Sequence, residues 1–548
     1  AVFVTGDILE SKVNFFKSSG MIPEECRLYH NILNRTKVNE HTVWRDLRGN
    51  HDASKVVGPD HECYSLGRPK DLNILGYSFQ TVIDTDFGSY SFIGLDLAPI
   101  PGLLLPMNFF GIVDKKTKKW ASSLSIESYR YNHTVWMTHY PLSVLKTTAD
   151  TSFLRRIVAG DIAVIFGHLH VNKRMYARDP LSGVLLLELG DWRNNRRFRI
   201  FAFDNDLFSF KDFNYNQNGE PLILITNPKN EEFLSVNLEP TARISTSTHV
   251  RALIFSNLEV IKIVVTIDEV ALCDLVPSMY NVDASYLKNV FSCKWNPHQF
   301  DPEIRHKIKL IVMTSNHKVF SENHYFTLNS VPGKLSMFYT FMLVFNLALL
   351  AKIIYFTFVL FLFVVPIFVQ IRPDLSISRF IHDISELISP TFSRYFFSVH
   401  NYLPMAIFSI FCWLYPMGGP LEYVPNKFGH ATIFGTFLDG KVYHEPVIYL
   451  FFIQKIIVFN IPIYLHYYFR IKLMIMSNPL RHPVFRFFLQ LATELCWLSS
   501  LVFSSIISYY RIFPLTDGIL HVFNIQSYYP FIILFMRLYP IKCCRNYS

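Results

Sequence analysis

The chain has 548 residues, half of them hydrophobic, 16% aromatic and only 17% charged, with a formal net charge of +9. That length exceeds an ordinary single domain, and the composition is too apolar for a disordered chain. The basic residues are scattered rather than gathered into a Lys/Arg stripe, which argues against nucleic acid as a partner.

In chain order, the first features are four polar clusters, each closing a strand-like run. Residues 1–5 lead into Gly6-Asp7, and residues 44–48 into Gly49-Asn50-His51-Asp52. Residues 134–138 lead into His139, and residues 162–166 into Gly167-His168-Leu169-His170. Side chains just past the C-terminal ends of strands are where open α/β sheets place their chemistry. Gly-Asp alone is a cheap match, since Gly160-Asp161 and Gly190-Asp191 repeat it. Gly-Asn-His-Asp and His-x-His are more specific, and the order of all four more specific still. One acid, one amide and several imidazoles offer hard-oxygen and nitrogen ligands, a set that suits Mn, Fe or Zn. No cysteine lies among them. Arg193, Arg196, Arg197 and Arg199 follow. They read either as bidentate anion binders or as a solvated strand-edge face.

Past residue 219 the texture changes. Runs 251–256, 260–267, 290–295 and 308–313 read as short strands with turns between, and 318–320 and 325–328 continue them. Short alternating strands at regular spacing predict a β-sandwich. Cys273 and Cys293 either bridge it or stay as buried thiols.

The last 210 or so residues are rich in Phe, Tyr, Ile and Leu. Residues 337–369 form a nearly continuous apolar run, longer than the ~20 residues a span requires. Runs 402–417, 447–468, 487–509 and 519–538 bring the expected count to about five spans. Arg372, Arg379, Arg394, Arg470, Lys472, Arg481 and Arg486 fall in alternate loops, with Lys542 and Arg545 in the tail. The positive-inside bias then sets the C-terminus in the cytosol and residues 1–330 on the lumenal or extracellular side of the lipid bilayer. The sequons at Asn34 and Asn132 predict glycosylation there, and Cys26 and Cys63 can pair in such a compartment. Gln454, Lys455, His466 and Glu494 are polar groups within the spans, candidates for function or for holding helices together.

The four clusters resemble the signature of the calcineurin-like metallophosphoesterases, in which Asp-x-His, Gly-Asp, Gly-Asn-His, a lone His and Gly-His-x-His follow in order. The resemblance implies a centre for two divalent metal ions. Asp7 matches the carboxylate that bridges them. Asn50, His139 and His168 match the other ligands of one metal, and His170 a ligand of the second. His51, with Asn50, matches the phosphate-binding position, and His51 protonates the leaving group while Asp52 orients it. The Asp-x-His element has no counterpart, so the second site is incomplete. The chain opens at Ala1 already inside a strand, and a truncated N-terminus is the expectation.

The layout as a whole is similar to the transmembrane protein 62 family. The stretches that carry this are 108–116, 190–204 and 294–297. The expected architecture is an α/β metallophosphoesterase domain of the two-sheet sandwich type over 1–212, an all-β Ig-like sandwich over 219–330 and an α-helical multi-pass membrane domain over 337–548. The implied function is hydrolysis of a phosphoester substrate, soluble or membrane-associated, by a metal-activated hydroxide. Two other readings stay open. One is a non-catalytic membrane scaffold or receptor with a degenerate phosphoesterase head. The other is a transporter with an appended sensor.

Overall fold

The computed structural model describes residues 1–507, apart from 65–76, 104–107, 148–151, 171–173, 278–288, 394–420 and shorter breaks, most of them between 389 and 482.

A six-stranded sheet forms the centre of the first region, in the order Met175–Arg178, Leu185–Glu188, Ala163–Phe166, His133–Thr138, Gly88–Leu95, Phe79–Thr85. The four inner strands run parallel, and each edge strand runs antiparallel to its neighbour. The inner strands are apolar on both faces because both faces are covered, as parallel sheets require. On one face Trp136, Val164, Phe166 and Leu186 pack with Ala121 and Leu124 of the helix Lys115–Glu127. That helix starts where the Asp114 side chain accepts the Thr117 amide at 2.7 Å. On the other face Phe92, Val135, Met137 and Ile165 meet a second layer. This layer comprises the parallel pair Val2–Val4 and Trp44–Asp46 and the hairpin Arg197–Asp204 with Leu207–Asn214. The Phe3 ring stacks on Phe92 at 4.9 Å and on Phe201 at 6.5 Å, joining the layers. The result is a two-sheet sandwich with helices on its outer face. A disulfide from Cys26, in the helix Pro23–Thr36, to Cys63 ties that helix to the segment after Asn50.

The next region is a sandwich of two four-stranded antiparallel sheets. One is Leu222–Asn227, His249–Phe255, Val290–Lys294, Val276–Pro277, and the other Val270–Asp274, Val260–Ile267, His306–Thr314, Val319–Phe326. His306–Thr314 alternates buried and half-buried residues along its whole length, the period-2 signal of a strand with one face in the core. Cys273 and Cys293 sit on different sheets, so their disulfide links the layers. The two runs expected around 318–328 form one strand: of the polar residues between them Ser321 and Asn323 face outward, while on the inner face Glu322 pairs with Lys211 and His324 bonds the Pro228 carbonyl.

The apolar run at 337–369 is not one straight span. Met337–Val344 and Leu347–Val359 meet at an angle of 90°. Asn346 starts the second helix by accepting the Leu349 amide at 2.9 Å. From Leu347 the chain stays helical through a π turn at Leu360–Val364 to Ile371. Among the described residues one helix, Pro483–Ile506, is long and apolar enough to cross a bilayer, and two are if the bent pair counts as one span. Helix Ile461–Ile475 packs beside it, with His466 Nδ1 3.0 Å from the Thr493 carbonyl. The expected spans at 402–417 and 519–538 lie outside the described residues, as do Gln454 and Lys455. A small antiparallel sheet from Leu421–Val424 to Lys441–Tyr443 was not expected.

Candidate metal centre

The centre is built where two short strands end side by side. Val4 pairs with Asp46, which brings Gly6-Asp7 and Gly49-Asn50 together. The approach is close enough to demand glycine: a Cβ on Gly49 would lie 2.1 Å from Asp7 Oδ1. Gly6 has φ 98°, and a Cβ there would lie 2.6 Å from the Gly49 amide nitrogen. The His51 amide donates to Asp7 Oδ1 at 3.0 Å, leaving Oδ2 turned inward.

Four side chains gather around Asp7 Oδ2. His139 Nε2 is 3.4 Å from it, and His170 Nε2 3.2 Å. His168 Nδ1 lies 3.0 Å from His139 Nε2, and the Asn50 amide 3.1 Å from the same nitrogen. His139 Nδ1 bonds the Thr5 carbonyl at 2.8 Å, so in the neutral ring the Nε2 lone pair faces the cluster. Asp7, His139 and His168 are, among the described residues, the one group of three such side chains close enough to share an ion. Two imidazole nitrogens bound at right angles to one ion at about 2.1 Å each would sit about 3 Å apart. The His139–His168 spacing of 3.0 Å matches that value. The donor set fits a divalent cation.

The electrostatics agree. Burial opposes ionisation of Asp7, but the adjoining His139, His170 and His51 rings outweigh it and hold the carboxyl well below the usual range. Burial and His139 push the His168 ring well below its ordinary value, so it is neutral, as a metal ligand must be. Burial lowers His139 as well, yet the Asp7 carboxylate raises it overall. A proton and a metal ion therefore compete for the His139 Nε2 lone pair.

His51 sits at the edge, with Nε2 4.0 Å from Asp7 Oδ2. Its Nδ1 bonds the Glu10 carbonyl at 2.6 Å. That carbonyl holds the ring in the orienting position expected of Asp52. Asp52 instead accepts three backbone amides, from Gly49 at 2.8 Å, Leu9 at 2.8 Å and Ile8 at 3.3 Å. It stitches the two ligand loops together. Burial and the neighbouring Asp7 raise its carboxyl to about 6.

Four supporting groups escaped the sequence reading. Glu188, at the end of its strand, accepts the Leu169 amide at 2.6 Å and fixes the loop between His168 and His170. Asn108 donates to the Asn50 carbonyl at 2.5 Å. The Thr5 and Glu10 carbonyls orient imidazoles. Glu188 follows the strand-end rule that found the ligands; backbone carbonyls leave no sequence signal.

The arginines divide. The Arg199 side chain is 3% exposed, paired with Asp212 at 2.6 Å and bonded to the Glu188 carbonyl at 3.0 Å. Arg197 bonds Asn214 at 3.1 Å, and Arg196 is exposed. Arg193 alone of these reaches the site, donating to Glu10 at 2.5 Å. Of the two sequons, Asn34 is exposed at the end of its helix. The Asn132 amide accepts the Ser89 amide and donates to Asp206, both at 3.1 Å.

Comparison with known proteins agrees with these features. Residues 217–332 match the family model for the TMEM62 Ig-like domain. Over 483 residues the chain is 30% identical to transmembrane protein 62 of Mus musculus, covering 84% of this chain and 70% of the mouse protein. Over 418 residues it is 24% identical to an Arabidopsis thaliana protein named "Putative metallophosphoesterase", covering 61% of this chain and 54% of that protein. No solved structure matches significantly.

Proposed function

The chain belongs to the transmembrane protein 62 family, and from that premise we propose that it is a membrane-anchored, metal-dependent phosphoesterase. The observation that carries the reading is the convergence of Asp7, Asn50, His139 and His168 on one point, with His170 Nε2 3.2 Å from the same Asp7 Oδ2. Asn50, His139 and His168 would hold one divalent ion, His170 another, and Asp7 both; Mn, Fe or Zn suits the donors. Such ions, when bound, supply Lewis acidity and a water of lowered pKa.

The chain's own residues supply the rest. His51, held through Nδ1 by Glu10, presents Nε2 to the space beside Asp7. In hydrolysis a water oxygen bonds to phosphorus as the phosphorus–alkoxide bond breaks, the departing oxygen takes a proton from His51 Nε2, and the proton released by the water replaces it. Asp52 and Asn108 keep the Gly49–His51 turn in place.

The anchor is the apolar C-terminal third. Pro483–Ile506 has only 22% of its apolar window buried, which suits lipid better than a protein core. Several spans, a cytosolic C-terminus and a lumenal or extracellular head follow from the distribution of cations. The two disulfides support an oxidising compartment for residues 1–330. The test is turnover of bis(p-nitrophenyl) phosphate by the full chain supplied with Mn. Metal-dependent turnover that His139→Ala abolishes supports the reading. A chain that binds metal through these residues yet turns over no phosphoester is a binding head instead.

A further inference from the structure

The geometry points to a substrate that stays in the bilayer: we propose that this centre acts on amphiphilic phosphoesters whose apolar chain remains among the lipids. The inference rests on the phosphoesterase reading above and adds the substrate class to it.

The argument starts from where the bilayer surface lies. Followed through its π turn, the helical stretch Leu347–Ile371 is by itself long enough to cross a hydrocarbon core of ~30 Å, without the bent segment before it. Its outward residues are mostly apolar, among them Ile353 at 51% and Phe361 at 62% exposed, and the exposed Lys352 lies near enough to the start to snorkel to the interface. Leu347 therefore marks the entry into the membrane. The preceding helix, Met337–Val344, turns away by 90° and lies along the surface when the span stands upright. It has two apolar faces. Leu343 is fully buried in the core of the phosphoesterase region, while Phe338 and Phe341 are exposed at 63% and 40%. A short helix with domain on one side and bare aromatic rings on the other fits an interfacial position.

The metal centre shares that edge. The 3₁₀ turn Leu142–Val144, three residues past His139, touches both Met337–Val344 and Leu347–Val359. Met337–Val344 also packs on Met175–Arg178, just beyond His170. The end of the sheet that carries the ligands is therefore the end that meets the membrane helices. Phe109 and the fully buried Tyr140 pack between them. Their rings lie 4.6 and 5.0 Å from the His168 ring, and both pack in the cluster that holds Leu343 and Tyr355. Leu169, between two ligands, packs on the same cluster. Apolar packing is thus continuous from the imidazoles to the point where the chain enters lipid, so the centre lies close to the bilayer surface. A soluble phosphoester needs no such placement. A lipid-like one leaves its chain in the membrane and presents only the phosphate, so remote binding energy positions the reacting group.

The test uses the full chain in phosphatidylcholine vesicles with Mn and two probes with the same reacting group, methyl p-nitrophenyl phosphate and hexadecyl p-nitrophenyl phosphate. The hexadecyl probe should show kcat/KM higher by about tenfold or more, with a rate that follows its mole fraction in the vesicle. Phe338→Glu combined with Phe341→Glu should lower turnover of the hexadecyl probe and leave that of the methyl probe unchanged. Equal turnover of both probes overturns this inference and leaves the phosphoesterase reading standing. Turnover of neither overturns both.

Discussion

Two regions of the molecule bury histidines in opposite ways. In the β-sandwich, His306 is 3% exposed and both ring nitrogens are bonded, Nδ1 to Asp268 at 2.6 Å and Nε2 to the Asp301 carbonyl at 2.8 Å. It is a satisfied structural residue. In the first region, His139 is fully buried and its Nε2 faces His168 Nδ1, the Asn50 amide and Asp7 Oδ2. There, acceptors outnumber the protons available to pair them. Buried polar groups are ordinarily satisfied, so a surplus of lone pairs aimed at one point marks a cation site. Burial alone does not separate the two histidines; the partner of the second nitrogen does.

The sharpest way to break this contrast is Asp7→Asn. It removes the shared anionic ligand, so metal content at both sites should fall, with a loss of turnover beyond the roughly 10–100-fold cost of an outer-shell partner. Elemental analysis beside a turnover assay checks this, and retained metal would contradict the bridging role. His51→Ala separates binding from chemistry within the same site. Metal should stay, while kcat falls by about 10²–10⁴-fold, the usual worth of a general acid. Equal loss of metal in both variants would remove His51 from its assigned role.

His306→Ala probes the other side of the comparison. It strands Asp268 and the Asp301 carbonyl and should cost about 1–3 kcal/mol of stability. Metal content and turnover per folded molecule should not change. A drop in metal content would mean that the two regions are coupled.

The smallest effect concerns a second Gly-Asp pair. Asp161 accepts from Trp136 Nε1 at 2.6 Å, at the opposite end of the strand Ala163–Phe166 from His168. Burial raises its carboxyl to about 6, above an unfolded value of about 3.9. Its contribution is thus favourable below about pH 4 and lost as pH rises through 6. Asp161→Asn should leave the melting temperature unchanged at pH 4 and raise stability by about 1–3 kcal/mol at pH 8. Thermal melts across that range followed by tryptophan fluorescence measure it, and an equal effect at both values would contradict the assignment.

These cases show what was legible from residues alone. The gathering of Asp7, His139 and His168 could be read because each closes an apolar run, and a short strand fixes where the next side chain points. Gly6-Asp7 and Gly160-Asp161 differ in company, not in composition. The β-sandwich was legible from its period-2 alternation, though the polar middle of Val319–Phe326 hid one continuous strand. The orientation of His51 was not legible, because a backbone carbonyl does that work and any residue at position 10 would supply one. Asp52 drew a role from its neighbour in sequence, when its oxygens point at three amides. The break at Asn346 was equally hidden. Hydropathy measures length in an apolar run but not direction, and the chain turns by 90° where extended backbone at Phe345 and Asn346 separates the two helices.

The central claim is that the lone pairs of His139 and His168 are held for a divalent ion. Pulsed electron paramagnetic resonance of Mn bound to the full chain tests it most directly. Nitrogen couplings from directly bound imidazoles, reduced in His139→Ala and in His168→Ala, are the result predicted. A chain that binds no Mn, or binds it with couplings indifferent to both substitutions, would contradict the account.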